Sequence, residues 1–339
     1  MIRTRGKAGF TVLAVMMTLL LTTVPLTRLP GAFPDIFPGV AAAPPPPSDA
    51  VDGLQYIEGD WTVADLQSYS DEHIVLSGDL DVASGGRLIF ENVTLEMNCT
   101  SGGEYSLTVS AGSYIARNST IASADPEARY NFTVARDGRM TLRWCEVTDT
   151  YSPAITSIED IQSIISDPGG IEVHSDDVVI RDTQVSDYAM AGISAVGSDP
   201  DIIDCNITGG IFGESYLTVG IFVTFHMQGF NFRGASPHIT GCTITGNGAG
   251  SGIVILGDPL HTGLITVDPA LAGCDISTNG VGVTDLFSTA TMGGPGGGAN
   301  HIHENLAGVT LLDSGADVTG NNISLNGVGD IVAGHVRTA

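Results

Sequence analysis

One short pattern recurs along most of the chain: an aliphatic residue, two others, a small residue, one more, then Ile, Val or Leu. Its three key positions are Phe90, Val93 and Leu95; Ala116, Ser119 and Ile121; Leu142, Cys145 and Val147; and Ile180, Thr183 and Val185. It goes on through Ile202, Cys205 and Ile207; Ile239, Cys242 and Ile244; Leu271, Cys274 and Ile276; Gly297, Asn300 and Ile302; and Val318, Asn321 and Ile323. From one small residue to the next the spacings are 26, 26, 38, 22, 37, 32, 26 and 21. Self-similarity at this period is the mark of a solenoid, in which each unit buries its apolar face against the next.

Each unit is rich in Ile, Val and Thr and is cut by Gly, Asn and Asp, a composition for short strands and turns. No sustained helical stripe is present in the body. In a coil of strands each position stacks on its equivalent, so the small residues form an internal ladder at a turn. The stretches Gly197-Ser-Asp-Pro-Asp-Ile-Ile-Asp-Cys-Asn-Ile-Thr-Gly-Gly210 and Gly234-Ala-Ser-Pro-His-Ile-Thr-Gly-Cys-Thr-Ile-Thr-Gly-Asn247 carry the unit most clearly. The Asn-x-x-Gly step that follows recurs at Asn279 to Val283 and at Asn305 to Val309. These motifs resemble the right-handed parallel β-helix repeat family, in the group of carbohydrate-binding proteins and sugar hydrolases, of the archaeal and bacterial surface-protein type. The resemblance covers about Ile74 to the C-terminus. It implies an all-β chain, a single-stranded right-handed parallel β-helix of about ten rungs. Enzymes and non-enzymes share these motifs, so the fold does not assign an activity.

The formal net charge is −25, and Lys7 is the sole lysine. Without residues 1–43 the chain keeps 9 basic and 37 acidic residues. Such a surface excludes nucleic-acid or anionic-membrane binding by charge. It suits a soluble acidic secreted protein, a high-salt habitat, or weak Ca²⁺ contacts through oxygen ligands; no cofactor is required. Four of the five cysteines share the ladder position and read as buried free thiols, with Cys99 the one expected at the surface.

Arg3, Arg5 and Lys7 precede an apolar run, so residues 1–26 read as an export signal or signal anchor. Residues 27–50 form a Pro/Ala-rich linker, and 51–339 the β-helix. The predicted location is extracellular or at the cell surface, with membrane contact only through the N-terminal segment. The last residues read as a strand in mid-rung, which predicts a truncated chain or another chain or domain over the open C-terminal edge. Of six Asn-x-Ser/Thr sequons, Asn98 and Asn131 lie off the ladder motif and are the better glycan acceptors.

Three clusters are candidates for function. Glu172, His174, Asp176, Asp177, Arg181 and Asp182 supply the carboxylates that a polysaccharide lyase or glycoside hydrolase would need. Glu172 and His174 should project from one strand, with Asp176 and Asp177 on the next turn. Asp at a turn also simply bonds its own backbone. The catalytic patterns of the family's pectin hydrolases, lyases and epimerases are absent. Phe222, Phe225, His226, Phe230 and Phe232 form an aromatic patch, either a sugar-stacking surface or a loop with its rings buried. His301 and His303 flank an inward Ile302 and would share a metal only with a third ligand, which the local sequence does not supply. The leading expectation is therefore a structural or glycan-binding surface protein, with a polysaccharide or cell-surface glycan as partner. The alternative is a polysaccharide lyase or hydrolase. Convergent, partly buried carboxylates would separate the two.

Overall fold

The computed structural model describes residues 54–152, 165, 167–209, 218–228, 231–258, 265–293 and 298–333, with only the backbone at 227, 228, 231, 332 and 333. The leader and linker lie outside them. Among the described residues every element is a strand, and no helix is long and apolar enough to cross a membrane. Apart from one antiparallel hairpin, the strands form three parallel sheets of eleven, eleven and nine members, visited in turn by the chain. The first sheet runs from Leu54–Glu58 to Asn322–Ser324, the second from Trp61–Val63 to Gly329–Ala333, and the third from Leu66–Ser70 to Thr291–Met292. Each strand pairs with its equivalent one coil earlier and one coil later, which is the parallel β-helix.

Register makes the core columnar. In the first sheet Ile74, Leu95, Ile121, Val147, Val185, Ile207, Ile244, Ile276 and Ile302 stack inward, all of them buried. Phe90, Ala116, Leu142, Ile180, Ile202, Ile239 and Leu271 do the same in the third sheet. Leu271 then pairs with Met292, so Met292 takes the place the repeat gave to Gly297, which lies outside the described residues.

The ladder between these columns is hydrogen-bonded from rung to rung. Val93 N–H donates to Ser119 Oγ at 3.1 Å, and Cys274 N–H to Asn300 Oδ1 at 3.0 Å. A second ladder runs at the corner after the first sheet. Asn247 Nδ2 donates to Asn279 Oδ1 at 2.9 Å, Asn279 to Asn305 at 3.0 Å, and Asn305 to Asn326 at 3.2 Å. All five cysteines are free and buried. That includes Cys99, placed at the surface by the sequence reading; its side chain points inward just after the strand Thr94–Met97.

The corner between the third and first sheets explains the residue before each ladder position. Asn92, Asn118, Trp144, Asp182, Asp204, Gly241 and Gly273 all have positive φ, between 48 and 67°. Asn, Asp and Gly tolerate that left-handed conformation best. Trp144 is the departure, an exposed indole with the Arg143 guanidinium 4.0 Å above its ring.

Candidate functional site

After the strand Glu146–Thr148, the chain enters the strand Ile171–Val173 through Asp167, Pro168, Gly169 and Gly170. Gly169 and Gly170 have φ of 72 and 75°. A Cβ on Gly169 would stand 2.4 Å from Ser152 Oγ and 2.5 Å from the Tyr151 carbonyl, so only glycine lets this segment lie so close. The segment is tied down by Ser194 Oγ, which donates to the Gly169 carbonyl at 2.7 Å. This brings Asp167 against the outer face of the second sheet.

On that face, between the inward Ile171 and Val173, stands Glu172. It is only 5% exposed. One carboxylate oxygen accepts the Gly169 N–H at 3.3 Å; the other is bonded to His174 Nε2. Asp167 is hydrogen-bonded to Glu172 as well. Burial alone would push the Glu172 carboxyl up. The bonds from His174 and Asp167, the charge of His174 and the Gly169 N–H outweigh it, and hold Glu172 below the usual glutamate range. Asp167 goes the other way: desolvation, then its bond to Glu172 and the charge there, raise it to about 7. The environments of these neighbouring carboxyls thus drive them apart, Asp167 up and Glu172 down.

His174 uses Nε2 on Glu172, which leaves Nδ1 as the nitrogen not committed to that carboxylate. The His226 ring stands 5.7 Å away at 85°. His226 opens a hairpin, His226–Gln228 against Asn231–Arg233, that projects from the turn after the second sheet. The hairpin is anchored where Arg233 pairs with Asp176, whose Oδ1 also accepts the Asp199 N–H at 2.9 Å. Two segments that the sequence treated as separate candidates therefore meet: Glu172, His174 and Asp176 from one rung, and His226 with Arg233 from the excursion two rungs on.

The remaining predicted residues lie elsewhere. Asp177 is exposed and pairs with Arg139 Nε at 3.2 Å. Arg181 and Asp182 are at the opposite corner, 3.4 Å apart, with Arg181 also 3.4 Å from Asp204. There Asp182 serves the left-handed turn, with φ of 49°. The six-residue carboxylate cluster thus splits, because the third-sheet strand Val178–Arg181 carries the chain from one corner to the next. Phe222 and Phe225 are buried and offer no ring to a ligand; Phe232 is exposed, and Phe230 lies outside the described residues. Asn98 is exposed with its amide 2.9 Å from Ser77 Oγ, and half-buried Asn131 donates to the Gly103 carbonyl at 3.1 Å.

His301 and His303 do face outward together, with stacked rings 4.0 Å apart. A carboxylate that local sequence failed to supply comes from the rung below: Asp275 pairs in register with His301. Asp275 Oδ1 lies 2.9 Å from His303 Nε2.

Sequence reasoning also missed Asp167, Arg233 and Asp285. Asp167 lies in an insertion that no repeat predicts. Asp285 occupies an inward column between Ile255 and Leu311, fully buried, and accepts from Ser288 Oγ at 2.5 Å and Ser314 Oγ at 2.9 Å. Burial raises its pKa against those two bonds.

No family model and no curated protein matches the chain. Two solved structures are similar to it, the A-modules of the mannuronan C-5 epimerases AlgE4 and AlgE6 of Azotobacter vinelandii. They are 12% and 14% identical, each with a TM-score of 0.40. The matches cover 78% and 77% of this chain, and 87% and 86% of those chains. Likeness at that level assigns neither an activity nor a substrate.

Proposed function

We propose that this is an exported or cell-surface β-helix that acts on a polysaccharide by proton transfer, with Glu172 and His174 as its acid–base unit. One observation carries the reading: a buried carboxylate held low by His174 touches a second carboxyl held near neutrality. Neighbouring groups whose environments drive their pKa values apart are suited to acid–base work. The Glu172 carboxylate fixes the orientation and tautomer of His174, so that the other ring nitrogen is presented for proton exchange. Arg233, paired with Asp176, and the His226 ring border the same place. A lyase-type reaction needs that combination, a base for the proton next to a uronate carboxylate and cations for the charge that builds up. A glycoside hydrolase fits less well. Its two carboxyls stand about 5–9.5 Å apart, across the scissile bond, whereas these two are hydrogen-bonded to each other.

The glycan class rests on the family resemblance, and export rests on the basic and apolar leader. A second reading, a structural or glycan-binding surface protein without turnover, is favoured by the burial of Glu172. Each of its oxygens is already bonded, as in a clamp that fastens the segment Asp167–Gly170 to the sheet.

Incubation of the protein with neutral and uronate-containing polysaccharides separates the two. Polymer length is followed by size exclusion, and unsaturated uronates by absorbance. Shortening of a uronate polymer that disappears in Glu172→Gln supports the proton-transfer reading. Uncut polymer that elutes together with the protein leaves the binding reading in its place.

A further inference from the structure

We infer that Asp275, His301 and His303 form a surface site for a borderline divalent cation of the zinc class. It lies on the outer face of the first sheet, away from the Glu172 unit on the second. The three ligand atoms, two imidazole nitrogens and one carboxylate oxygen, all lie within 4.8 Å of one another. Around a tetrahedral ion with bonds of about 2.0 Å, neighbouring ligand atoms sit about 3.3 Å apart. Asp275 and His303 already stand at 2.9 Å, so small rotamer shifts close the set.

The scaffold under the site is rigid on both sides. Just before Asp275 and His301, the ladder joins Cys274 N–H to Asn300 Oδ1 at 3.0 Å. Just after the same strands, Asn279 Nδ2 donates to Asn305 Oδ1 at 3.0 Å. Ile276 and Ile302 are buried beneath. The strands that carry the ligands are thus held in register at each end, as a preorganised site requires. Glu304, with φ of 56° at the end of the strand, stands 3.7 Å from His303 Nδ1. That is the nitrogen left over once Nε2 faces Asp275, and a carboxylate behind a ligating imidazole is the usual outer partner of such a ligand. Two imidazoles and one carboxylate select a zinc-like ion over Ca²⁺, which prefers six to eight oxygens.

The test is a titration of the full chain with Zn²⁺, and with Co²⁺ as a visible probe. High salt and excess Ca²⁺ suppress loose binding to the acidic surface. The expected result is one saturable Zn²⁺ per chain and a Co²⁺ absorption typical of four-coordinate nitrogen and oxygen ligands. Affinity falls at least tenfold in His301→Gln and in His303→Gln, less in Asp275→Asn, and is unchanged in His174→Gln. These outward side chains are not part of the core, and thermal unfolding of the ion-free variants confirms their fold. Absence of saturable binding, or binding indifferent to both histidine substitutions, overturns the site. Neither result bears on the proton-transfer reading, which rests on Asp167, Glu172 and His174.

Discussion

Two three-residue clusters decorate this solenoid, and they are built in opposite ways. Asp275, His301 and His303 stand on regular strands, one rung apart, and the repeat alone puts them together. They lie on the outer wall: the Asp275 side chain is 50% exposed and that of His303 17%. Asp167, Glu172 and His174 come together only because the segment Asp167–Gly170 lies over the sheet, and there the Glu172 side chain keeps 7% of its exposure. A regular β-helix places groups at fixed spacings on an open wall, which suits an ion. To shift the pKa of a carboxyl it must cover part of that wall, and this segment does so.

The largest test of this contrast is at the scaffold. Replacement of Asn279 by Ala removes the acceptor for the N–H and the Nδ2 of Asn247, and three bonds that Asn279 itself donates. Leaving those buried groups unpaired should cost about 2–4 kcal/mol in a denaturant titration. The same variant should weaken Zn²⁺ binding while the Asp167–Glu172 pair is unaffected. Equal damage to both clusters would mean that they are not independently held.

A smaller effect comes next, at the inner corner below the wall. A Cβ on Gly252 would stand 2.7 Å from the Gly282 carbonyl oxygen and 2.7 Å from Ile276 Cγ2. Gly252→Ala should destabilise by about 1–3 kcal/mol, read as a lowered unfolding midpoint. Gly315→Ala, whose added Cβ would stand 3.5 Å from Thr289 Cγ2, should be nearly silent.

The acid pair predicts a slope with pH. Asp167 is raised from 3.8 to about 7, so between those values the folded chain holds a proton that the unfolded chain has lost. Its contribution is fully present below the unfolded value and is lost as pH rises to about 7. Glu172, held below 4.5, acts oppositely and only in the acid range. Asp167→Asn should therefore gain stability relative to the parent as pH rises from 4.5 towards 7, in parallel thermal unfolding series. A constant difference across that window would break the pairing.

The smallest effect is at the opposite corner. Asp182→Gly keeps the left-handed turn, so it should leave both stability and any activity within about 0.5 kcal/mol. Asp182→Ala should cost about 1 kcal/mol of stability through strain alone.

The fold was legible because stacking repeats one environment nine times: inward Ile, a ladder residue, and a left-handed corner, as at Ile202, Asp204 and Cys205. Asp275 was legible in principle. The repeat aligned Cys274 with Asn300, and the next residue on each rung is Asp275 and His301. Asp167 was not, since the repeat says nothing about where the 38-residue rung folds its excess. The aromatic patch was left open for a related reason. Phe222 belongs to a strand outer face that is covered, and Phe225 is buried at the turn after it. Composition cannot tell a covered face from an open one.

The proton-transfer reading requires that Asp167 and Glu172 divide one proton near neutrality. Carboxyl ¹³C NMR titration of the full chain, with Glu172→Gln for assignment, tests it directly. One aspartate should titrate at about 7 and return towards the ordinary range in Glu172→Gln. Two carboxyls that both titrate near their usual 3.8 and 4.5, unchanged by the substitution, would contradict it.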